Sequence, residues 1–187
     1  MSKFLLLLGP SGVGKTAIID ELSKIDSNFV YISPYMTRPP RQGERNKISI
    51  SDEQMDEMSA LGQLLVINQL YGIRYATPRS PILQALSSGK FPVLDWPIGR
   101  IQIMTQAFPN QLYSVYLSPP SIKVLYQRLA KDGRDADGSR LQCAREELEA
   151  YWSSRYVGMY DFEIVTEENQ TQQVASVIFT NYLKSFR

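Results

Sequence analysis

The sequence predicts an α/β fold: a three-layer sandwich whose central sheet is mostly parallel. Three observations predict it. Short apolar runs of strand length alternate with amphipathic stretches of helix length along most of the chain, the rhythm of a parallel sheet covered on both faces. The first apolar run, Phe4-Leu5-Leu6-Leu7-Leu8, passes directly into a glycine-rich turn at Gly9–Thr16, G-P-S-G-V-G-K-T. At 187 residues, 43% apolar and 21% charged, the chain suits one well-filled domain and is too apolar to be disordered.

Each element has its own signal. Phe4–Leu8 is a buried strand, and a helix from about Lys15 to Lys24 follows the glycine-rich turn. Phe29–Ser33 reads as a second strand. Pro34 to Asn46 reads as a loop rich in Pro and Arg, and Ile48–Ile50 as a short strand. Ser51 to Leu61 is helical, with Ser51 as N-cap and Asp52 and Glu53 in the first turn, where the macrodipole favours negative charge. Leu64–Ile67 and Gly72–Tyr75 read as strands around a turn. Pro81–Ser88 is a helix that Gly89 can close. Phe91–Asp95, Tyr113–Leu117 and Phe162–Val165 are strands. Ile101–Ala107, Ser121–Lys131, about Ser139 to Ser154 and about Gln170 to Lys184 are helices.

Residues 34–77 break the strand–helix rhythm and read as an insertion projecting from the sheet's carboxyl edge. The Asp/Gly-rich stretch at about 132–140 reads as a lid. The expected organisation is one domain over 1–187, with a core of 1–33 and 78–187.

Composition excludes several chemistries. The chain has no histidine and one cysteine, Cys143, so a histidine base, histidine metal ligation, a multi-cysteine zinc site and an intrachain disulfide are all ruled out. Cys143 reads as a small packing residue on a helix, and Trp96 and Trp152 as packing residues too. A net charge of +1 gives no global field for nucleic acid. The apolar stretch after Lys3 is too short for a signal peptide, and no stretch approaches a membrane span. A cytoplasmic location is expected, without a nucleic-acid or membrane partner.

The turn after the first strand carries the chemistry. It fits G-x-x-x-x-G-K-[ST] between a strand and a helix, the phosphate-binding loop in its required context. Gly9, Gly12 and Gly14 let the backbone, with Pro10, Ser11 and Val13, wrap a polyphosphate. Lys15 brings a positive charge to the terminal phosphates, and Thr16 offers a hydroxyl to magnesium. The helix N-terminus faces the anion. The expected cofactors are ATP and Mg2+, on a P-loop NTPase fold.

Other residues suit phosphoryl transfer, which needs positive charge around the moving group. Arg38 and Arg41 flank two prolines in T-R-P-P-R, a stiff loop suited to a phosphate or, read blandly, a solvated basic loop. Asp95 ends an apolar strand, where it either holds magnesium, partly through water, or is a turn residue. Arg134 sits in the expected lid. Arg140 opens the next helix, where it serves either the transferring group or a surface ion pair. Tyr75 and Thr77 place hydroxyls where an acceptor phosphate could be met.

These pieces in this order resemble the guanylate kinase family over about residues 3–184. The resemblance rests on G-P-S-G-V-G-K-T, on T-R-P-P-R-Q-G-E at Thr37–Glu44 and on R-L-Q-C-A-R-E-E at Arg140–Glu147. Y-A-T at Tyr75–Thr77, G-K-F-P-V-L-D at Gly89–Asp95, S-P-P-S at Ser118–Ser121 and Y-D-F-E-I-V at Tyr160–Val165 support it. It implies an ATP-dependent kinase acting on GMP or dGMP, as a monomer or homodimer. It implies that Arg38, Arg41 and Tyr75 bind the acceptor phosphate, with Ser33, Thr77 and Asp95 beside them, and that Lys15, Arg140 and a lid arginine act on the transferring group.

The departures lie where the family reads guanine. Pro34 stands at the hydroxyl position, with Ser33 adjacent, and Val66 and Pro97 replace two carboxylates. The loop after Glu44 is short and lacks a phosphate-binding tyrosine. Asp132 stands at the usual lid arginine, so Arg134 would have to substitute. A base left without partners loses on the order of 10²–10⁴ in selectivity. Guanine recognition is therefore expected to be weakened, rerouted or absent. G-E-R-N-K-I-S-I-S-D-E-Q at Gly43–Gln54 and G-R-D at Gly133–Asp135 resemble ribose 1,5-bisphosphate phosphokinase, which makes a sugar phosphate the alternative acceptor. A non-catalytic binding module is the third reading. Gly14-Lys15-Thr16 argues against it.

Overall fold

The computed structural model describes residues 3–40, 47–70, 72–133 and 138–186. The expected site residues Arg41 and Arg134 lie outside them. Five parallel strands form the central sheet: β1 (Phe4–Leu8), β2 (Phe29–Tyr31), β7 (Phe91–Trp96), β8 (Leu112–Ser118) and β9 (Phe162–Val165), in the order β2-β7-β1-β8-β9.

β1 lies at the centre because every one of its side chains is apolar. Leu5 and Leu7 enter one core with α1 (Lys15–Ile25), α5 (Ile122–Asp132), α6 (Ser139–Trp152) and α7 (Thr171–Lys184). Phe4, Leu6 and Leu8 enter the opposite core with α3 (Ser80–Ser87) and α4 (Ile101–Ala107). Each fully buried Leu or Phe contributes roughly 1.5–3 kcal/mol. That makes β1 the rigid base from which the glycine-rich turn departs.

A second sheet has the order β4-β3-β6-β5, from β3 (Tyr35–Met36), β4 (Ile48–Ser49), β5 (Leu64–Leu70) and β6 (Ile73–Pro78). One face packs on α2 (Asp52–Ala60) through Met55, Leu64, Ala76 and Ile67. Arg74 reinforces that face by pairing with Asp52 and Asp56 at 2.8 and 2.5 Å. A capping box starts α2: the Gln54 N–H donates to Ser51 Oγ, and the Ser51 N–H to Gln54 Oε1. The other face turns toward the central sheet. The cross-strand pairs Val66–Thr77, Asn68–Tyr75 and Met36–Tyr75 set Val66, Asn68, Tyr75, Thr77 and Met36 there. Leu65 and Val66 pack on the core of the central sheet at a bulge in β5, so this face looks onto that sheet.

Four local expectations need correction. The second strand ends at Tyr31 rather than Ser33, and Tyr35–Met36, expected as loop, is a strand of the other sheet. Pro34 has no N–H to continue a ladder, so the chain changes sheets there. Cys143 is on a helix but exposed, because α6 buries Ala144 and Leu148 and turns Cys143 outward. Trp152, at the end of α6, is 54% exposed. Among the described residues, no helix is long and apolar enough to cross a membrane.

Candidate active site

The glycine-rich loop leaves the carboxyl end of β1, between β7 and β8. The order of connections reverses at this point, which is where open α/β sheets bind ligands. Two contacts force its glycines. A Cβ on Gly9, at φ +126, would lie 2.3 Å from the carbonyl oxygen of Leu117, and one on Gly12 would lie 2.9 Å from Leu129. The loop is therefore clamped between β8 and α5. Thr16 stands exposed in the first turn of α1.

Lys15 folds back over its own loop, donating to the carbonyls of Gly9 at 2.5 Å and Pro10 at 2.9 Å. Burial pushes its ammonium below the ordinary lysine value. Glu147 and then Asp95 oppose that shift, while Lys47 and Arg140 add to it. Five charged groups thus converge on one point. Asp95 Oδ1 accepts from the Tyr31 hydroxyl at 2.8 Å. Burial raises the Glu147 carboxyl above the usual carboxylate range, with Lys15 opposing. Glu147 Oε1 and the Tyr116 hydroxyl are both buried and, among the described residues, have no hydrogen-bond partner. Burial, then Glu147, pushes the Tyr116 phenol well up, so it stays neutral.

Arg140 bridges the loop and the segment before α6. It donates to Ser11 Oγ at 2.7 Å and to Asp132 Oδ2 at 2.7 Å. Arg38 follows β3 and donates to the Pro39 carbonyl at 2.8 Å. Tyr75 lies under the Lys47 ammonium, 5.0 Å from its ring centroid, and Thr77 is buried at 3% exposure. Ser33 lies elsewhere: it lines a cavity of about 400 Å³ among β2, β4 and α3 that no residue of the phosphate loop lines. Among the described residues no three acidic or thiol side chains could hold a metal by themselves. Magnesium takes one or two protein oxygens and fills its shell with phosphates and water. The Thr16 hydroxyl and the Asp95 carboxylate fit that need.

Several residues here carried no signal in the sequence. A cavity of about 470 Å³ opens on the other side of the loop, between Gly12–Gly14, Arg128 and residues 166–169. Arg128 donates to the Thr166 carbonyl at 2.6 Å and to Thr166 Oγ1 at 3.1 Å, fixing the turn after β9. The polar run Thr166-Glu167-Glu168-Asn169 after an apolar strand was the available sign. Lys47, Glu147, Asn68 and Arg100 were also missed.

A phosphate loop at the centre of a parallel sheet, with Lys15 folded over it and Arg140 donating to its Ser11, defines a P-loop kinase. The family model described as guanylate kinase matches residues 1–181. A guanylate kinase from Nostoc sp. is 33% identical over 172 residues, covering 89% of this chain and 83% of its own. One from Nitrosomonas europaea is 30% identical, covering 100% and 94%. The crystal structure of guanylate kinase from Anaplasma phagocytophilum superposes with a TM-score of 0.74 at 20% identity, covering 98% of this chain and 85% of that one. The chain belongs to the guanylate kinase family. It is a phosphotransferase with a P-loop NTPase fold.

Proposed function

We propose that the chain transfers the γ-phosphoryl group of ATP to GMP or dGMP, giving GDP or dGDP and ADP. The observation that carries this reading is Lys15, which opens α1 and folds back onto the Gly9 and Pro10 carbonyls of the phosphate loop, in a chain similar to guanylate kinases along almost its whole length. An oxygen of the acceptor phosphate attacks the γ-phosphorus in line, and the bond to the β–γ bridging oxygen breaks. Lys15 and Arg140 stabilise the charge on the moving group, with Arg134 from the lid. Arg38, Arg41, Tyr75 and Thr77 hold the acceptor phosphate, and Lys47 stands where it joins them. Thr16, and Asp95 through water, would hold magnesium, which would supply charge neutralisation to the phosphates. The cavity beside Arg128 suits the nucleoside of ATP. In this reading 34–77 is the acceptor-binding insertion, about 132–140 is the lid and the rest is core. A cytoplasmic monomer or homodimer acting on small molecules completes it.

The test is ADP release from ATP and magnesium, with Lys15→Met as the blank. The acceptors are GMP, dGMP, AMP, CMP, UMP and ribose 1,5-bisphosphate. Turnover with GMP and dGMP is expected. Turnover with the sugar bisphosphate alone, or with no acceptor, overturns the reading. Arg38→Ala is expected to raise the acceptor KM far more than the ATP KM.

A further inference from the structure

The face of the second sheet that looks onto the central sheet holds a polar device that the transfer chemistry does not use. Asn68 on β5 is only 7% exposed. Its Oδ1 accepts from Arg100 Nη1 at 2.6 Å. Arg100 ends the 3-10 turn Ile98–Arg100, which follows β7 in the central sheet, so the bond ties the second sheet to the end of a central strand. The Arg100 carbonyl accepts from Trp96 Nε1 at 3.0 Å, which fixes the turn.

What the pair leaves over matters more than the bond. Because Asn68 Oδ1 is the accepting atom, its amide N–H groups point elsewhere, and among the described residues no partner takes them. Arg100 keeps four further N–H donors, and no carboxylate among the described residues pairs with it. The neighbours on this face are Val66, Tyr75 and Thr77. The pair therefore presents its donors on a sheet face whose other residues, Met36, Val66, Tyr75 and Thr77, carry no carboxylate.

We propose that Arg100 and Asn68 read the acceptor's base, taking a 6-oxopurine by its O6 and N7 acceptors and ignoring the 2-amino group, so that IMP is used about as well as GMP. The inference rests on the kinase reading above. Asn68 lies directly across from Tyr75, about 5 Å away by strand geometry. A nucleotide with its phosphate at Tyr75 and Arg38 thus brings its base to the pair. A guanidinium matches O6 and N7 of guanine with two parallel bonds. Hypoxanthine presents the same two atoms. Adenine puts an amino donor against the Arg100 donors, and a site built to donate to O6 rejects such a ligand. Recognition of the 2-amino group needs an acceptor, and Val66 supplies none.

The test compares kcat/KM for GMP, IMP and AMP in the wild type and in Arg100→Ala and Arg100→Lys. In the wild type, IMP is expected within about threefold of GMP and AMP at least about 100-fold below. Arg100→Ala is expected to raise the KM for GMP about 10- to 100-fold, leave the KM for ATP unchanged and shrink the GMP-to-AMP ratio. Arg100→Lys keeps the charge but loses the fork, so it should restore little of that ratio. A GMP preference over IMP of about 100-fold overturns the inference and leaves the kinase reading standing. An unchanged GMP KM in a folded Arg100→Ala does the same. Failure of the wild type to use any purine nucleotide overturns both. The wild-type GMP-to-IMP ratio needs no variant, so it decides the matter even if Arg100→Ala does not fold.

Discussion

Arg140 donates to the hydroxyl of Ser11 at 2.7 Å, a bond between residues 129 positions apart. It joins the first turn of α6 to the middle of the phosphate loop, and the same guanidinium holds Asp132 just before the 134–137 segment. One side chain thus sets the distance between the loop and the helix that faces it. Arg140→Ala is expected to lower kcat about 10²- to 10³-fold, the scale of losing one group that stabilises transition-state charge. Steady-state kinetics and a melting curve check this. A loss of Tm with kcat intact would make Arg140 a structural tie only.

The loop's shape depends on Gly9 more than on any other glycine. A methyl group there meets the Leu117 carbonyl, a backbone atom of a central strand, at 2.3 Å and at a φ of +126 that L residues avoid. Neither problem can be relieved by turning a side chain. Gly9→Ala is expected to destabilise the protein by about 2–4 kcal/mol, read as a lower urea midpoint at unchanged slope. Gly14→Ala is the comparison. It shares the positive φ but has open space around it, so it should cost less.

The parts legible in the sequence are those whose causes are local. Phe4–Leu8 is apolar at every position, the loop follows without a gap, and Ser51 to Gln54 spells out its own cap. Tyr35–Met36 was hidden, because Ile48 and Ser49 on one side and Tyr75 and Ala76, some forty residues later, on the other make two residues beside a proline into a strand. The missed site residues have the same cause. Arg100 and Asn68 are 32 positions apart, and Arg128 and Thr166 are 38 apart. Neither pair forms a motif, and the packing of one sheet on the other, or of β9 on β8, brings each together. Arg140 stood out for its place in a helix, but nothing in the sequence marked Ser11, 129 positions earlier, as a partner beside Asp132.

Arg128 offers a way to separate the two sides of the loop. Its three bonds hold the turn after β9 against Val13 and Thr166. Arg128→Ala is expected to raise the KM for ATP about tenfold while the acceptor KM stays unchanged. The opposite pattern is expected for Arg38→Ala. Initial rates at crossed substrate concentrations separate them, and equal effects on both constants in either variant would break the division of the site.

Glu147 sets the pH range over which Lys15 keeps its charge. Burial depresses the Lys15 pKa, and Glu147 is the largest influence holding it up. The ammonium should therefore be lost at a pH below the ordinary lysine value, with kcat/KM for MgATP falling along an alkaline limb. In Glu147→Gln the supporting charge is gone, so that limb moves to lower pH. The acid side responds in the other sense. Burial raises the Glu147 carboxyl, so in the wild type its charge disappears as pH falls through a value above the usual carboxylate range. Any acid limb from that loss should vanish in Glu147→Gln, because glutamine has no charge to lose. Profiles of kcat/KM from acid to alkaline pH check both shifts. Superimposable profiles would mean that Glu147 does not control the charge of Lys15.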